Sequence, residues 1–339
     1  MLIASLILVA LGSPPADDGS ASSEGAAPVV MAAPIVTVTP LVNTAKSDIT
    51  SDSKSKAKAS AAPCESSISL THKNRALQHD LEVALGNTRL LRQIKNHRLA
   101  VSLVDLTHAD DLYYAGINDN DMMYAASLPK IAILLADAQA AADGKLDWTS
   151  EHERRMTSMI TESNNADASW GAELVGFGGI EAVLRDPRYC LYDNVYGGLW
   201  VGRKYAHDSD SYPDPLHDLL HGATARQTAR FYTLLDRREL VSKSWSEHML
   251  ALMGPPKHHH KFVHGLADRT DVQFVARKSG TWERWHADSA LIRHGDNLYV
   301  AVALSELRNG EEVMQQVIRI LDDLVTAGKH RRPRAPPHA

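Results

Sequence analysis

Met122-Met-Tyr-Ala-Ala-Ser-Leu-Pro-Lys-Ile-Ala-Ile-Leu-Leu-Ala136 is the stretch on which the fold turns. A serine and a lysine three residues apart, Ser127 and Lys130, open a long apolar run. If the run is helical, both side chains lie on one face, about one turn apart. Pro129 suits a first turn, where its missing N–H is not needed. Ser127 then sits at the positive end of the helix dipole, which favours negative charge beside it. A shallowly buried lysine can give up its proton and act as a base. The stretch therefore reads either as an activated nucleophile or as a capped core helix. Spacing alone does not choose, because Ser51/Lys54, Ser53/Lys56 and Ser55/Lys58 repeat it in a low-complexity tract.

Upstream, Leu99 to Leu106 and Leu112 to Ile117 read as two strands of a hairpin. Apolar residues at helical spacing from Arg75 to His97, among them Leu77, Leu81, Leu85 and Ile94, predict a helix that Gly86 can break. Residues 12–63 hold no aromatic side chain and cannot bury a face, so they read as a disordered linker. The apolar run Met1 to Leu11 falls short of the ~20 residues a membrane span needs. It resembles the apolar region of a secretory signal, though no Lys or Arg precedes it. The expectation is export, to a periplasm or the exterior. Cys64 and Cys190 either form one disulfide or are two unrelated thiols.

Downstream, Asp143-Gly144 stops the Ser127 helix, and Trp148 to Ile160 predicts a second. A polar break, Thr161 to Ala166, leads into Asp167 to Val175. Residues 176–222 read as irregular, and loops that long inside a compact domain tend to be functional. Thr224 to Arg238 and Ser242 to Leu252 predict helices. Val272 to Arg277, Ala287 to Arg293 and Leu298 to Leu304 predict an antiparallel meander, and Gly310 to Ala327 a closing amphipathic helix. The order predicts an α+β fold: a five-stranded antiparallel sheet flanked by N- and C-terminal helices, plus an all-helical lobe, with a cleft between them. The expected organisation is a possible signal segment and linker over 1–63, one domain over 64–328, and a disordered tail over 329–339.

The 339 residues are 44% hydrophobic and 23% charged, an ordinary globular balance. A formal net charge of −5 speaks against a nucleic-acid binder, which would usually be basic. No later membrane-spanning stretch is visible, and a monomer is expected. Lys257-His-His-His-Lys261 with His264 could bind a metal, but such runs are more often solvated loops, so neither metal nor cofactor is expected. Trp282, Trp285 and Trp200 could wall the cleft or simply fill the core.

Two further motifs fall at the edges of that cleft. Ser163-Asn164-Asn165 is the only Ser-x-Asn in the chain, and Lys278-Ser279-Gly280 the only Lys-Ser/Thr-Gly. Together with Ser127-x-x-Lys130 they occur in the order found in class A β-lactamases and penicillin-binding proteins. Over roughly residues 75–327 the chain resembles that β-lactamase/transpeptidase-like superfamily of serine hydrolases. The resemblance implies an acyl-enzyme reaction on a small-molecule β-lactam or a D-Ala-D-Ala-like peptide. Ser127 would be the nucleophile and Lys130 its base, with Ser163 relaying a proton to the leaving nitrogen. The N–H groups of Ser127 and Thr281 would hold the oxyanion, where losing one donor costs about 3 kcal/mol of barrier. Lys278 and Ser279 would receive the substrate carboxylate, Gly280 would permit close approach of a backbone or ligand beside them, and Asn165 would bind the substrate's amide side chain and the lysine.

The chain also departs from the family. Class A enzymes carry Glu-x-x-Leu-Asn, whose glutamate activates the deacylating water, and none occurs here. Between Ser163 and Thr224 the only glutamates are Glu173 and Glu181, both too early. Asp208 or Asp210 lies near the right distance, or both are solvated loop acids. Acylation looks equipped and fast deacylation does not. Three outcomes stay open: a β-lactamase with an altered water-activating group, a peptidoglycan D,D-peptidase or esterase-like hydrolase of the same fold, or a protein that is acylated and remains so.

Overall fold

The computed structural model describes residues 68, 70–108, 110–206 and 210–331. The expected signal segment and linker, Cys64, Asp208 and residues 332–339 lie outside these. Strands β1 (Leu99–His108), β2 (Asp111–Ile117), β3 (Val272–Trp282), β4 (Trp285–His294) and β5 (Asn297–Glu306) form one sheet in the order β2-β1-β5-β4-β3. Every neighbouring pair is antiparallel. The longer helices are α1 (Arg75–Gly86), α2 (Lys130–Ala142), α3 (Ser150–Thr161), α4 (Asn165–Leu184), α5 (Ala225–Asp236), α6 (Lys243–Met253) and α7 (Gly310–Ala327).

The apolar stripes of α1 and α7 bury Leu77, Leu81, Val317 and Leu321 against Val101, Leu103 and Ala301 on one sheet face. The other face carries Ala100, Val104 and Val302 into a second core shared with α5 and the helical lobe. Because both faces are covered, β1 is buried over its first eight residues instead of alternating. In the lobe, α2 is buried at every position from Lys130 to Ala138, as a helix that is apolar all round must be.

The predicted architecture holds, with three corrections of detail. The Ser127 helix begins at Lys130, and Ser127 sits in the turn before it, closed by a Lys130 N–H to Ser127 carbonyl contact of 3.4 Å. Residues 177–184 are helical, not irregular: α4 resumes after a non-helical kink at Gly176 (φ 69°, ψ 158°), and three glycines hide its pattern. Ordered chain extends past the expected boundary at 329. His330 is buried with Nε2 2.7 Å from Asp105 Oδ2, and Arg331 Nε meets the same oxygen at 2.7 Å. Charge pairing with a fully buried carboxylate outweighs the polar composition of the segment.

Cys190 is disulfide-bonded. Among the described residues no helix is long and apolar enough to cross a membrane.

Candidate active site

The turn carrying Ser127 is fixed by its neighbours. A short strand, Met123–Tyr124, pairs with His221–Ala223, and the Ala125 N–H donates to His221 O at 2.8 Å. Ala126 then takes a left-handed backbone (φ 50°), which turns Ser127 out of the strand direction. An alanine in that region costs of order 1 kcal/mol, held here by the pairing on either side. Ser127 is half-buried and lines a cavity of about 470 Å³ with Tyr124, Asn165, Tyr205, His221 and Thr281.

Lys130 is fully buried one turn on. Its Nζ donates to Ser163 O at 2.6 Å and to Asn165 Oδ1 at 2.7 Å, with Ser163 Oγ at 3.5 Å. Burial pushes its pKa down to about 7, against a smaller upward pull from Asp167. A substantial fraction is therefore the neutral amine near neutral pH, the form able to accept a proton.

Ser163 also has a left-handed backbone (φ 59°) at the break between α3 and α4. Lys278 Nζ on β3 donates to its Oγ at 2.9 Å. The hydroxyl thus stands between two lysines, and burial followed by repulsion from Lys130 holds Lys278 well below the ordinary lysine range. Two ammonium groups cannot both be comfortable there. The backbone of Lys278 is steadied by Ser289, whose Oγ donates to Lys278 O at 2.8 Å. Asn164, not Asn165, is the helix cap: its Oδ1 accepts from the Asp167 N–H at 3.1 Å. That frees Asn165 to reach Lys130.

Gly280 is where the sheet meets the nucleophile turn. A Cβ there would run into Ala125 O and lie 2.8 Å from Ser127 N and 2.9 Å from Leu128 N, all backbone. Glycine alone lets β3 come this close. Ser279 is nearly buried beside it, and Thr281, exposed, reaches the cavity. All eight residues singled out from the sequence are brought to one region: Ser127, Asn165 and Thr281 line the cavity, while Lys130, Ser163, Lys278, Ser279 and Gly280 stand behind its wall.

Three further residues were not legible. Tyr205 lies in the loop read as irregular; its ring is stacked on His221 (centroids 4.1 Å apart) and under Lys130 Nζ at 4.6 Å. Its OH donates to Ala126 O at 3.2 Å. His221 is kept neutral, its pKa pushed to about 4 by burial and the nearby Lys130 and Arg203 charges, while its Nε2 meets Arg203 O at 2.9 Å. Lys261, part of the His-rich run, is fully buried behind β3 and donates to Gly280 O at 2.5 Å. Only the positive backbone angle of Lys261 explains how a residue of that run turns inward, and no sequence pattern announces it.

No carboxylate lines the cavity among the described residues. Asp210 is exposed and outside the lining, and Asp208 lies outside the described residues. Glu173 pairs with Lys204 at 2.5 Å and Glu181 with Arg185 at 2.7 Å. Of the three tryptophans, Trp282 is 59% exposed and lines the cavity, whereas Trp200 is core, with Nε1 donating to Tyr212 O at 2.8 Å. Trp285 packs edge-on to Tyr124, centroids 6.1 Å apart.

The fold and this cluster define a β-lactamase/transpeptidase-like protein. The sequence profile of the Beta-lactamase enzyme family matches residues 151–325, just over half of the chain, and the chain belongs to that family. Among solved structures it is similar to a β-lactamase from Sphaerobacter thermophilus (TM-score 0.55, 16% identity, 74% of this chain and 97% of that one). It is similar to PBP-A (TM-score 0.57, 15% identity, 76% and 98%). A variant of the last common ancestor of Gram-negative bacteria class A β-lactamase matches likewise (TM-score 0.56, 19% identity, 75% and 99%). At such identities the likeness shows the fold alone. No curated protein matches the chain.

Proposed function

We propose that the protein is a serine hydrolase acting through an acyl-enzyme on β-lactams or related amides. The observation that carries this reading is the buried Lys130, shifted to about 7 and bonded to Ser163 and Asn165 one turn from Ser127.

Neutral Lys130 takes the Ser127 Oγ proton as Oγ attacks the amide carbon, and the carbonyl electrons move onto oxygen. The N–H groups of Ser127 and Thr281 are the donors for that oxyanion. Collapse restores the carbonyl and breaks the C–N bond. Ser163 Oγ gives its proton to the leaving nitrogen and is reprotonated through Lys278 or Lys130, which contact it at 2.9 and 3.5 Å. Lys278 and Ser279 receive the substrate carboxylate, and Asn165 receives the substrate amide. Water then cleaves the ester.

The step after acylation supports a second reading. The described lining offers Tyr205 and neutral His221 beside Ser127 and no carboxylate, which favours slow release: a D,D-peptidase, or a penicillin-binding protein that stays acylated. A point mutant of the similar PBP-A has been solved as an acyl-enzyme complex with penicillin G. Export is part of the proposal, supported by the apolar start and by a disulfide at Cys190, which persists in oxidising compartments.

A chromogenic cephalosporin tests the reading. Sustained turnover supports the hydrolase, and one equivalent of colour followed by silence supports the slow-releasing alternative. No colour, with no adduct in the intact mass, overturns acyl transfer.

A further inference from the structure

Lys261 makes three bonds with its Nζ: to Gly280 O at 2.5 Å, to Thr281 Oγ1 at 2.7 Å and to Ala287 O at 3.1 Å. Gly280 and Ala287 are register partners on β3 and β4. A donor that reaches both carbonyls stands on the β4 side of β3. In a trans peptide the C=O and the next N–H point in opposite directions. The Gly280 C=O faces Lys261, so the Thr281 N–H of the same peptide unit faces the free edge of β3, which ends the sheet. That edge opens on the cavity lined by Ser127 and Thr281.

The geometry points to Lys261 as a positioning residue that polarises the Gly280–Thr281 peptide, strengthening the Thr281 N–H as an oxyanion donor. This rests on the acyl-transfer reading above. Burial lowers the Lys261 pKa to about 8, which leaves the ammonium the major form near neutral pH, and a charged donor bonds a carbonyl roughly twice as strongly as a neutral one. Withdrawing electron density at the oxygen makes the N–H of that amide a better donor, a cooperative gain of about 10–30% per bond. The bond is also rigid. Arg277, from β3 itself, clamps the segment that presents Lys261: its guanidinium donates to His258 O at 2.7 Å and His260 O at 3.1 Å, and to both oxygens of Asp288 at 3.0 and 2.7 Å. Asp288 Oδ2 in turn accepts from the Phe262 N–H at 3.1 Å. Lys261 touches the oxyanion only through the peptide, so it is not itself a catalytic residue.

The test uses Lys261→Gln, which keeps a neutral donor, and Lys261→Met, which removes it. In the ligand-free protein the Thr281 amide proton is expected to move upfield, further for Met than for Gln. With penicillin G the acylation rate is expected to fall about tenfold, a part of the 10²–10³ lost when an oxyanion donor is removed outright. The initial dissociation constant should change less than about threefold, a small share of that rate loss. The acyl-enzyme ester carbonyl should stretch at higher wavenumber. A merely structural lysine would not move the amide shift and the carbonyl stretch together. Wild-type values for both in a folded variant overturn the proposal. If Lys261→Met does not fold, Lys261→Gln decides. If the wild-type protein forms no adduct, the acyl-transfer reading fails, and the amide shift still decides the polarisation by Lys261.

Discussion

Lys278 Nζ on the edge strand of the sheet donates to Ser163 Oγ in the helical lobe at 2.9 Å, closing the cleft across its two walls. The contact joins residues 115 positions apart and places one hydroxyl between two buried lysines. Burial lowers the proton affinity of both lysines, and the charge of Lys130 lowers that of Lys278 further. Lys130, shifted to about 7, is thereby an amine that can receive a proton near neutral pH, the requirement for taking one from Ser127.

Lys130→Ala removes the base. Positioned general bases contribute roughly 10²–10⁴-fold, so penicillin acylation should fall by that order while circular dichroism stays native. An unchanged acylation rate would take Lys130 out of this role.

The pH profile follows from the same residue. The neutral amine is the active form, so the acylation rate should rise with pH through about 7 and level off above it. The stability effect has the same sign. The folded value lies below the 10.5 of an ordinary lysine, so between the two the unfolded chain binds the extra proton, and stability from this group grows as pH rises from about 7. A rate that fell through this window would contradict the assignment.

Gly280→Ala forces a methyl group against the Ala125 carbonyl and the Ser127 and Leu128 amides. Because the obstacles are backbone, strand and turn must separate. Overpacking of this kind costs about 1–3 kcal/mol. Acylation should fall by more than the loss in melting temperature explains, because the oxyanion donors part. Measuring both on one sample distinguishes a local from a global effect.

The C-terminal clasp is open to a stability test. Burial raises the Asp105 pKa, but bonds from His330, Arg331 and Thr107 outweigh it and hold the carboxyl at about 2. A depressed carboxylate stabilises above its unfolded value of 3.8, and that contribution is lost as pH falls towards 2. The double substitution His330→Ala, Arg331→Ala leaves Asp105 buried and unpaired, at a cost of about 3–5 kcal/mol near neutral pH. Thermal melting at pH 7 should show the loss, and melting near pH 2 should show much less of it.

The sheet and the three motifs were legible because short-range patterns encode them. Alternating and continuous apolar runs marked β1 to β5, and a serine-lysine pair at helical spacing marked the nucleophile turn. Other features depend on contacts that no local pattern records. Ser127 lies before its helix because Ala126 adopts a left-handed backbone that alanine seldom takes. α4 was cut short because Gly176, Gly178 and Gly179 read as loop, although packing against α2 carries the helix through. Lys261 reads as one more solvated residue of a His-rich run; its left-handed backbone (φ 53°) turns it inward, and Arg277, 16 residues on, holds the carbonyls of the segment before it. Tyr205 gave no signal at all, since its role depends on Ser169, whose Oγ accepts from the Tyr205 and Ala206 N–H groups at 2.9 Å.

The central claim is that Ser127 is the nucleophile. The most direct measurement is intact-mass spectrometry of the protein mixed with penicillin G, followed by peptide mapping. The result expected is one adduct with the mass of one penicillin, on the peptide that contains Ser127, and none with Ser127→Ala. An unmodified wild-type mass, or an adduct that survives Ser127→Ala, would contradict it.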